Sequence, residues 1–487
     1  VPSGSERRRV DYRLSSWLYA RALGAVLLTA FVSLAVQAHG LFGDHGITPI
    51  ADFVASARRA GHSVWEHPSL FWWTSGDGAI TAMLWLGALA SVALLVGLVP
   101  RLALLLAWGS YLSFVSVGWP FLSFQWDSLL LEASFVSMFF VPWRVWDRLR
   151  GHCSPHPVAR WAVWWLLARL MFRSAYVKLA SGDPSWANLS ALEYHYWTQP
   201  LPTVLAWYAN RFPAWVQKLS CLGMFIIEFI APVAIFVPRV SMRRAAALSL
   251  MGLMVLIAAT GNYGFFNALA CVLALSLLDD DFLAPVFRTE EREVPPATTG
   301  LQYHAEAIAP ALVIVLTGFI FVTGTFGPGP SRSLAPVYRW SSFNNYGLFA
   351  VMTTERPEII IEGSRDGQSW EAYEFRYKPG RLDRAPVWVQ PHQPRLDWQM
   401  WFAALGDFRR NPWLASFMRR LLEAEPLVLE LLEHDPFESE RPIAVRAVIY
   451  RYGFSSAEER RQDGDWWQRS DPRLYAPVLS VQSEPVP

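Results

Sequence analysis

Trp161-Ala-Val-Trp-Trp-Leu-Leu-Ala-Arg169-Leu-Met-Phe-Arg173-Ser-Ala-Tyr-Val-Lys178-Leu179 is long enough to cross a bilayer, yet it carries three cations. Each cation at mid-membrane depth costs roughly 2.5–3.5 kcal/mol on insertion scales. Such a segment persists only where partners inside the protein compensate the charge. The stretch therefore points to a membrane protein of several spans, and it is the first place to look for function.

Outward from it, apolar stretches of spanning length or near it occur at 17–38, 79–99, 102–119, 121–141, 222–237, 245–260, 265–278 and 308–322. With 161–179 they make nine expected spans. Val36-Gln37-Ala38 resembles a signal-peptide cleavage site. The apolar core before it is longer than the roughly 7–15 residues of such a signal, so it reads as an uncleaved span. Arginines in the links set the orientation. Arg7, Arg8, Arg9 and Arg13 precede the first span, and Arg101 follows the second. Arg144, Arg148, Arg150 and Arg160 surround the link from fourth to fifth, and Arg239, Arg243 and Arg244 fill the link from sixth to seventh. In a nine-span chain these clusters share one side, the cytoplasmic one. The acidic link 279–303 fits that side less well, and one span more or fewer before residue 323 would reverse the last domain.

The expected organisation is a cytoplasmic tail (1–14), a multi-span membrane domain (15–323) with an outer interfacial segment (180–213), a linker (324–336) and an extracytoplasmic domain (337–487). That last part is mixed α+β and large enough for its own core. Residues 358–377 read as a β-hairpin about Asp366-Gly367, the second strand alternating around Trp370, Tyr373, Phe375 and Tyr377. Residues 396–405 and 411–432 read as helices, Pro412 suiting a first turn, and 443–452 as a strand.

Composition narrows the function. At 53% hydrophobic and net charge +1, the chain offers no electrostatic case for nucleic acid. His39 and His45, and His152 and His156, pair only locally, without carboxylate or cysteine company at ligand spacing. No metal and no cofactor is expected. Cys153, Cys221 and Cys271 suggest neither a disulfide framework nor a thiol mechanism. Lysine is confined to Lys178, Lys218 and Lys378 while arginine is abundant, a bias suggesting a GC-rich bacterial genome.

The intramembrane charges can be paired by depth. At about 1.5 Å per residue, Asp127 lies roughly 9 Å and Glu132 roughly 16 Å below the outer end of the fourth span. Arg173 lies roughly 9 Å and Arg169 roughly 15 Å below the outer end of the fifth. Two ion pairs are expected, Asp127 with Arg173 and Glu132 with Arg169, serving either helix register or a polar pocket. Lys178 lies near the outer boundary, where it either snorkels or sits in a dry pocket as a base. Asp183, Trp186, Tyr194, His195, Tyr196 and Trp197 follow it and would wall such a pocket or contact a client or lipid. Glu228, Asn262 and Asn267 are further polar candidates, Asn267 as an interhelical hydrogen-bonder. The aromatic density of 185–216 fits an interfacial belt, or a docking platform for an apolar client or lipid.

Seven runs, in order, resemble the lipase maturation factor family. They are Phe121-Leu-Ser-Phe-Gln-Trp-Asp-Ser-Leu-Leu-Leu-Glu132, Arg173-Ser-Ala-Tyr-Val-Lys-Leu-Ala-Ser-Gly-Asp-Pro-Ser-Trp186, Tyr194-His-Tyr-Trp-Thr-Gln-Pro-Leu-Pro202 and Gly261-Asn-Tyr-Gly-Phe-Phe-Asn267. Ile361-Glu-Gly-Ser-Arg-Asp-Gly-Gln-Ser-Trp370, Tyr377-Lys-Pro-Gly380 and Pro391-His-Gln-Pro-Arg-Leu-Asp-Trp-Gln-Met-Trp-Phe-Ala-Ala-Leu405 complete the set. The resemblance implies a multi-pass membrane protein whose animal members reside in the endoplasmic reticulum and assist folding and assembly of secreted lipases through a lumenal domain. A bacterial member would occupy the inner membrane. A fainter likeness, carried by Tyr176-Val-Lys-Leu179 before Asp183-Pro-Ser-Trp186, runs to vitamin K-dependent carboxylase-type membrane domains and implies a basic Lys178.

Two functions compete on these residues. One is a non-catalytic maturation factor whose partners are the bilayer and exported lipases or other clients. The other is a membrane enzyme with Lys178 as base, acting on a lipid, quinone or amphiphile. A transporter fits less well, for the spans show no inverted repeat.

Overall fold

The computed structural model describes residues 10–287, 301–327 and 332–480. Most of the expected tail, the middle of the acidic link and part of the expected linker lie outside these residues. The membrane domain is built on α1 (Arg13–Ala35), α2 (Asp77–Val96), α3 (Pro100–Val117), α4 (Gln125–Phe140), α5 (Pro157–Ala180), α6 (Ala214–Phe236), α7 (Val240–Thr260), α8 (Phe266–Leu275) and α9 (Leu301–Phe326).

Among the described residues six helices, rather than the nine expected spans, are long and apolar enough to cross a membrane: α1, α2, α3, α6, α7 and α9. The other three fall short for separate reasons. α4 has 16 residues and α8 has 10, against about 20 for a straight crossing. α5 has 24 but carries Arg160, Arg169, Arg173 and Lys178. The apolar helices sheathe them. Trp85, Ile226, Ile230, Leu256, Val315 and Phe319 point outward from that sheath, as lipid-facing side chains do.

Local sequence fixes the close contacts. Gly24 lets α1 approach α2, since a Cβ there would lie 2.8 Å from the Leu95 backbone nitrogen. Gly97 ends α2 at φ +82, where glycine carries no steric penalty, and Pro100 opens α3 three residues later.

Each of the nine helices has one end at a single arginine-rich end of the bundle. Arg21 on α1 pairs with Asp147 at 2.5 Å, and Val99 N–H donates to Val145 O at 2.7 Å beside the α2–α3 turn. Arg101 reaches Val141 O at 2.9 Å after α4, and Arg160 of α5 lies over Tyr12. Arg243 donates to Val237 O at 3.1 Å between α6 and α7, and Arg244 pairs with Asp279 just past α8. His156 packs on Tyr303 of α9 at 4.3 Å.

The opposite end carries the C-terminal domain. Its larger sheet has the order β2-β1-β5-β6, all antiparallel, from β1 (Arg356–Ser364), β2 (Glu371–Ala372), β5 (Ala444–Phe454) and β6 (Trp467–Ser480). β3 (Glu374–Phe375) and β4 (Leu432–His434) pair separately. The expected hairpin is thus cut short: its second strand leaves β1 at Tyr373, whose buried ring faces Phe437, and continues as β3 in the other sheet. α10 (Arg395–Ala404) and α11 (Pro412–Leu422) supply the helical layer. The second helix is shorter than the expected 411–432 because Ala424 adopts φ +52 and Pro426 starts a new turn.

Candidate functional site

Asp127, in the first turn of α4, is fully buried and does not meet Arg173. Its partner is Arg395, the first residue of α10, which forks onto the carboxylate at 2.5 and 2.7 Å. Tyr111 of α3 donates to the same carboxylate at 2.6 Å, and Arg395 also reaches Phe121 O at 3.0 Å. Burial alone would lower the Arg395 pKa, but Asp127 and Tyr111 outweigh it and hold the guanidinium above its ordinary value. This junction joins the two domains. Around it Ser33 meets His392 at 2.9 Å, Gln37 donates to Gln393 O at 2.8 Å, and Asn262 donates to Val387 O at 2.8 Å.

Glu132, five residues further along α4, forms its ion pair with Arg169 of α5. The chain after α9 dips back into the bundle to complete the shell. Asn344 N–H (3.0 Å), Asn344 Nδ2 (3.1 Å) and Tyr346 OH (2.6 Å) all donate to Glu132 Oε2, and Arg169 donates to Asn344 O at 2.9 Å. A buried carboxylate with several donors is a satisfied one. Arg173 turns instead to Gly324 O and Thr325 Oγ1, both at 2.8 Å, at the end of α9.

Lys178 does not snorkel. It is 4% exposed and pairs with Glu228 of α6 at 2.7 Å, with the Trp186 ring centroid 5.5 Å from its ammonium. The pair sits in a cavity of about 300 Å³ between α5, α6, α7 and the short helices Pro184–Ala187 and Ala191–Thr198. Trp186, His195 and Tyr196 do line this cavity. Asp183 instead caps Pro184–Ala187 and accepts Met352 N–H at 2.6 Å, while Tyr194 and Trp197 pack into neighbouring apolar clusters. Phe349, also in the lining, holds a left-handed φ of +54, a strained backbone for a bulky residue.

Proton positions around His195 follow from its neighbours. Gln199 Nε2 donates to Thr260 O at 2.9 Å, so Gln199 Oε1 must accept, and Tyr263 OH donates to it at 2.8 Å. The Tyr263 oxygen, 3.1 Å from His195 Nε2, then accepts the imidazole proton. Burial, with the Lys178 charge, lowers the His195 pKa to about 4. The ring is neutral at physiological pH and leaves Nδ1 as an acceptor.

The segment 185–216 is only partly the expected belt. Trp186, Tyr196 and Trp207 are buried, whereas Tyr208 and Trp215 are exposed. Its backbone is gripped by the C-terminal domain: Arg356 donates to Trp197 O at 2.9 Å and Pro200 O at 2.8 Å, and Trp401 donates to Thr198 O at 2.8 Å. Asn267 is buried with no hydrogen-bond partner among the described residues, and Asn262 makes the long-range bonds instead. Sequence reasoning missed Arg395, Asn344 and Tyr346 as partners. Arg395 was readable as a lone cation in the buried-looking run 394–405, but nothing local names its carboxylate.

Comparison with known proteins adds a second line. Residues 14–285 match the family described as the lipase maturation factor transmembrane domain, and residues 342–477 the lipase maturation factor C-terminal domain. The chain is 36% identical to lipase maturation factor 2 of Gallus gallus, covering 95% of this chain and 81% of the relative. Against human lipase maturation factor 2 the figures are 34%, 96% and 83%, and against human lipase maturation factor 1 they are 30%, 95% and 87%. No solved structure matches.

Proposed function

The chain belongs to the lipase maturation factor family, and on that premise we propose that it assists the folding and assembly of exported proteins, lipases foremost. The observation that carries this reading is the presence of both family domains in one chain, clamped together by Asp127 and Arg395. A partly folded client exposes apolar surface and unpaired strands until assembly buries them.

The receiving surface we assign is the β6 edge of the larger sheet, which no further strand pairs among the described residues. β6 is its outermost strand, with Leu474 (59% exposed) and Val478 (42%) facing solvent. An open strand edge pairs with an extended segment of another chain through backbone hydrogen bonds. Pro472 and Pro477 interrupt that edge, which disfavours runaway pairing between copies.

We further infer that the arginine-rich end faces the cytoplasm and the C-terminal domain the export side. The arginines gathered at that end support this through the positive-inside rule. The host membrane would be the endoplasmic reticulum in a eukaryote or the inner membrane in a bacterium. Co-expression with a secreted lipase tests the function. Active secreted lipase should rise with the intact chain and fall back with Leu474→Asp at equal chain abundance. Equal lipase yield with and without the chain would dismiss the reading.

A further inference from the structure

The cavity around Lys178 and Glu228 has features that client handling leaves unused. Three of its lining residues, Phe212, Ser220 and Leu256, are exposed. They continue into Leu219, Leu222 and Val255 on the outer faces of α6 and α7, two of the helices apolar enough to span. The mouth therefore opens sideways onto the surface that hydrocarbon covers, beside the end that bears the C-terminal domain. The interior is mostly apolar, with Leu170, Met171, Met224 and Met254 among its walls. Methionine-rich walls adapt to flexible chains.

Its polar end is specific. An ammonium has three donors, and Lys178 uses one of them on Glu228. No other acceptor meets it among the described residues, although the Trp186 face lies nearby. Because Glu228 already balances the charge, a second anion gains little there, while a neutral carbonyl oxygen can take a free N–H. His195 adds a lone pair at Nδ1, fixed by the Tyr263–Gln199 chain, which suits a hydroxyl donor. A volume of about 300 Å³ lies at the small end of the ligand-site range, room for one acyl chain rather than two.

We propose that this cavity binds a neutral single-chain acyl ester of the monoacylglycerol type, entering from the bilayer, with its ester carbonyl on Lys178 and a glycerol hydroxyl on His195. This goes beyond client maturation and does not depend on it: a chain that matured no lipase would still take up the lipid.

The test uses the full chain purified in detergent and a monoacylglycerol carrying a photo-activatable diazirine in its acyl chain. Cross-links are expected on α6 and α7 lining residues, Met224 and Met254 in particular. Unlabelled monooleoylglycerol should compete at least tenfold more effectively than oleate at pH 8. Lys178→Met combined with Glu228→Met removes the polar end without stranding a charge and should cut labelling at least tenfold. Met254→Trp, which narrows the tail site and leaves the ion pair intact, should do the same and serves if the double variant does not fold. Competition by oleate equal to or stronger than by the ester would overturn the assigned head group. Cross-links elsewhere, or labelling that survives Met254→Trp, would overturn the site.

Discussion

Asp127 and Arg395 lie 268 positions apart in the chain, yet each is the other's only full counter-charge among the described residues. Removing one partner of such a buried pair strands the other, at a typical cost of about 3–5 kcal/mol. Arg395→Met should therefore lower the thermal midpoint in detergent sharply, whereas Asp127→Leu with Arg395→Met together should recover most of the loss. Histidines give a second residue-scale prediction. Burial lowers the pKa of His392, next to Arg395, to about 4, as it does for His195. An unfolded histidine takes its proton near pH 6.5, so the stability that these rings contribute is present above that value. It is lost as pH falls from about 6.5 to 4. Thermal midpoints measured across that interval should drop, and His392→Gln should flatten the drop. Depth matching along α4 and α5 found Glu132 with Arg169 because both sit on adjacent helices. It failed for Asp127 because the competing cation arrives from another domain, and hydropathy carries no record of that.

At the scale of elements, hydropathy located the six apolar helices, whose composition alone demands lipid. It overcounted where an apolar run is buried by protein rather than by hydrocarbon, as in α4 and α8, since both environments select the same side chains. In the C-terminal domain apolar runs marked β1 and β5, each buried on at least one face. They could not mark β6, whose residues are exposed over most of its 14 positions and include Arg469, Asp471 and Arg473. The contact between α1 and α2 offers a direct check. Gly24→Leu would press a side chain into the Leu95 backbone and should cost about 1–3 kcal/mol or more, as overpacking does. Gly252→Leu on α7, where a Cβ meets nothing within 4 Å, should leave the thermal midpoint unchanged.

For the whole molecule, sidedness is the prediction with most at stake. Gly367 has φ +76 in an exposed turn, a conformation asparagine tolerates, and Ser369 follows two residues later. Gly367→Asn thus creates a glycosylation acceptor. Expressed in a eukaryotic secretory system, the variant should gain one glycan, visible as a glycosidase-sensitive mass shift; an unmodified chain in the membrane would place the domain on the cytosolic side. The return of residues 342–347 into the bundle also bears on how the protein is made. Glu132 is synthesised more than two hundred residues ahead of Asn344 and Tyr346, the donors that complete its shell. The early helices must wait, their charge paired with Arg169 but its hydrogen bonds unfilled, for the ribosome to deliver the last of the membrane half. A chain interrupted at residue 340 would carry every spanning helix and still be recognised by quality control as unfinished.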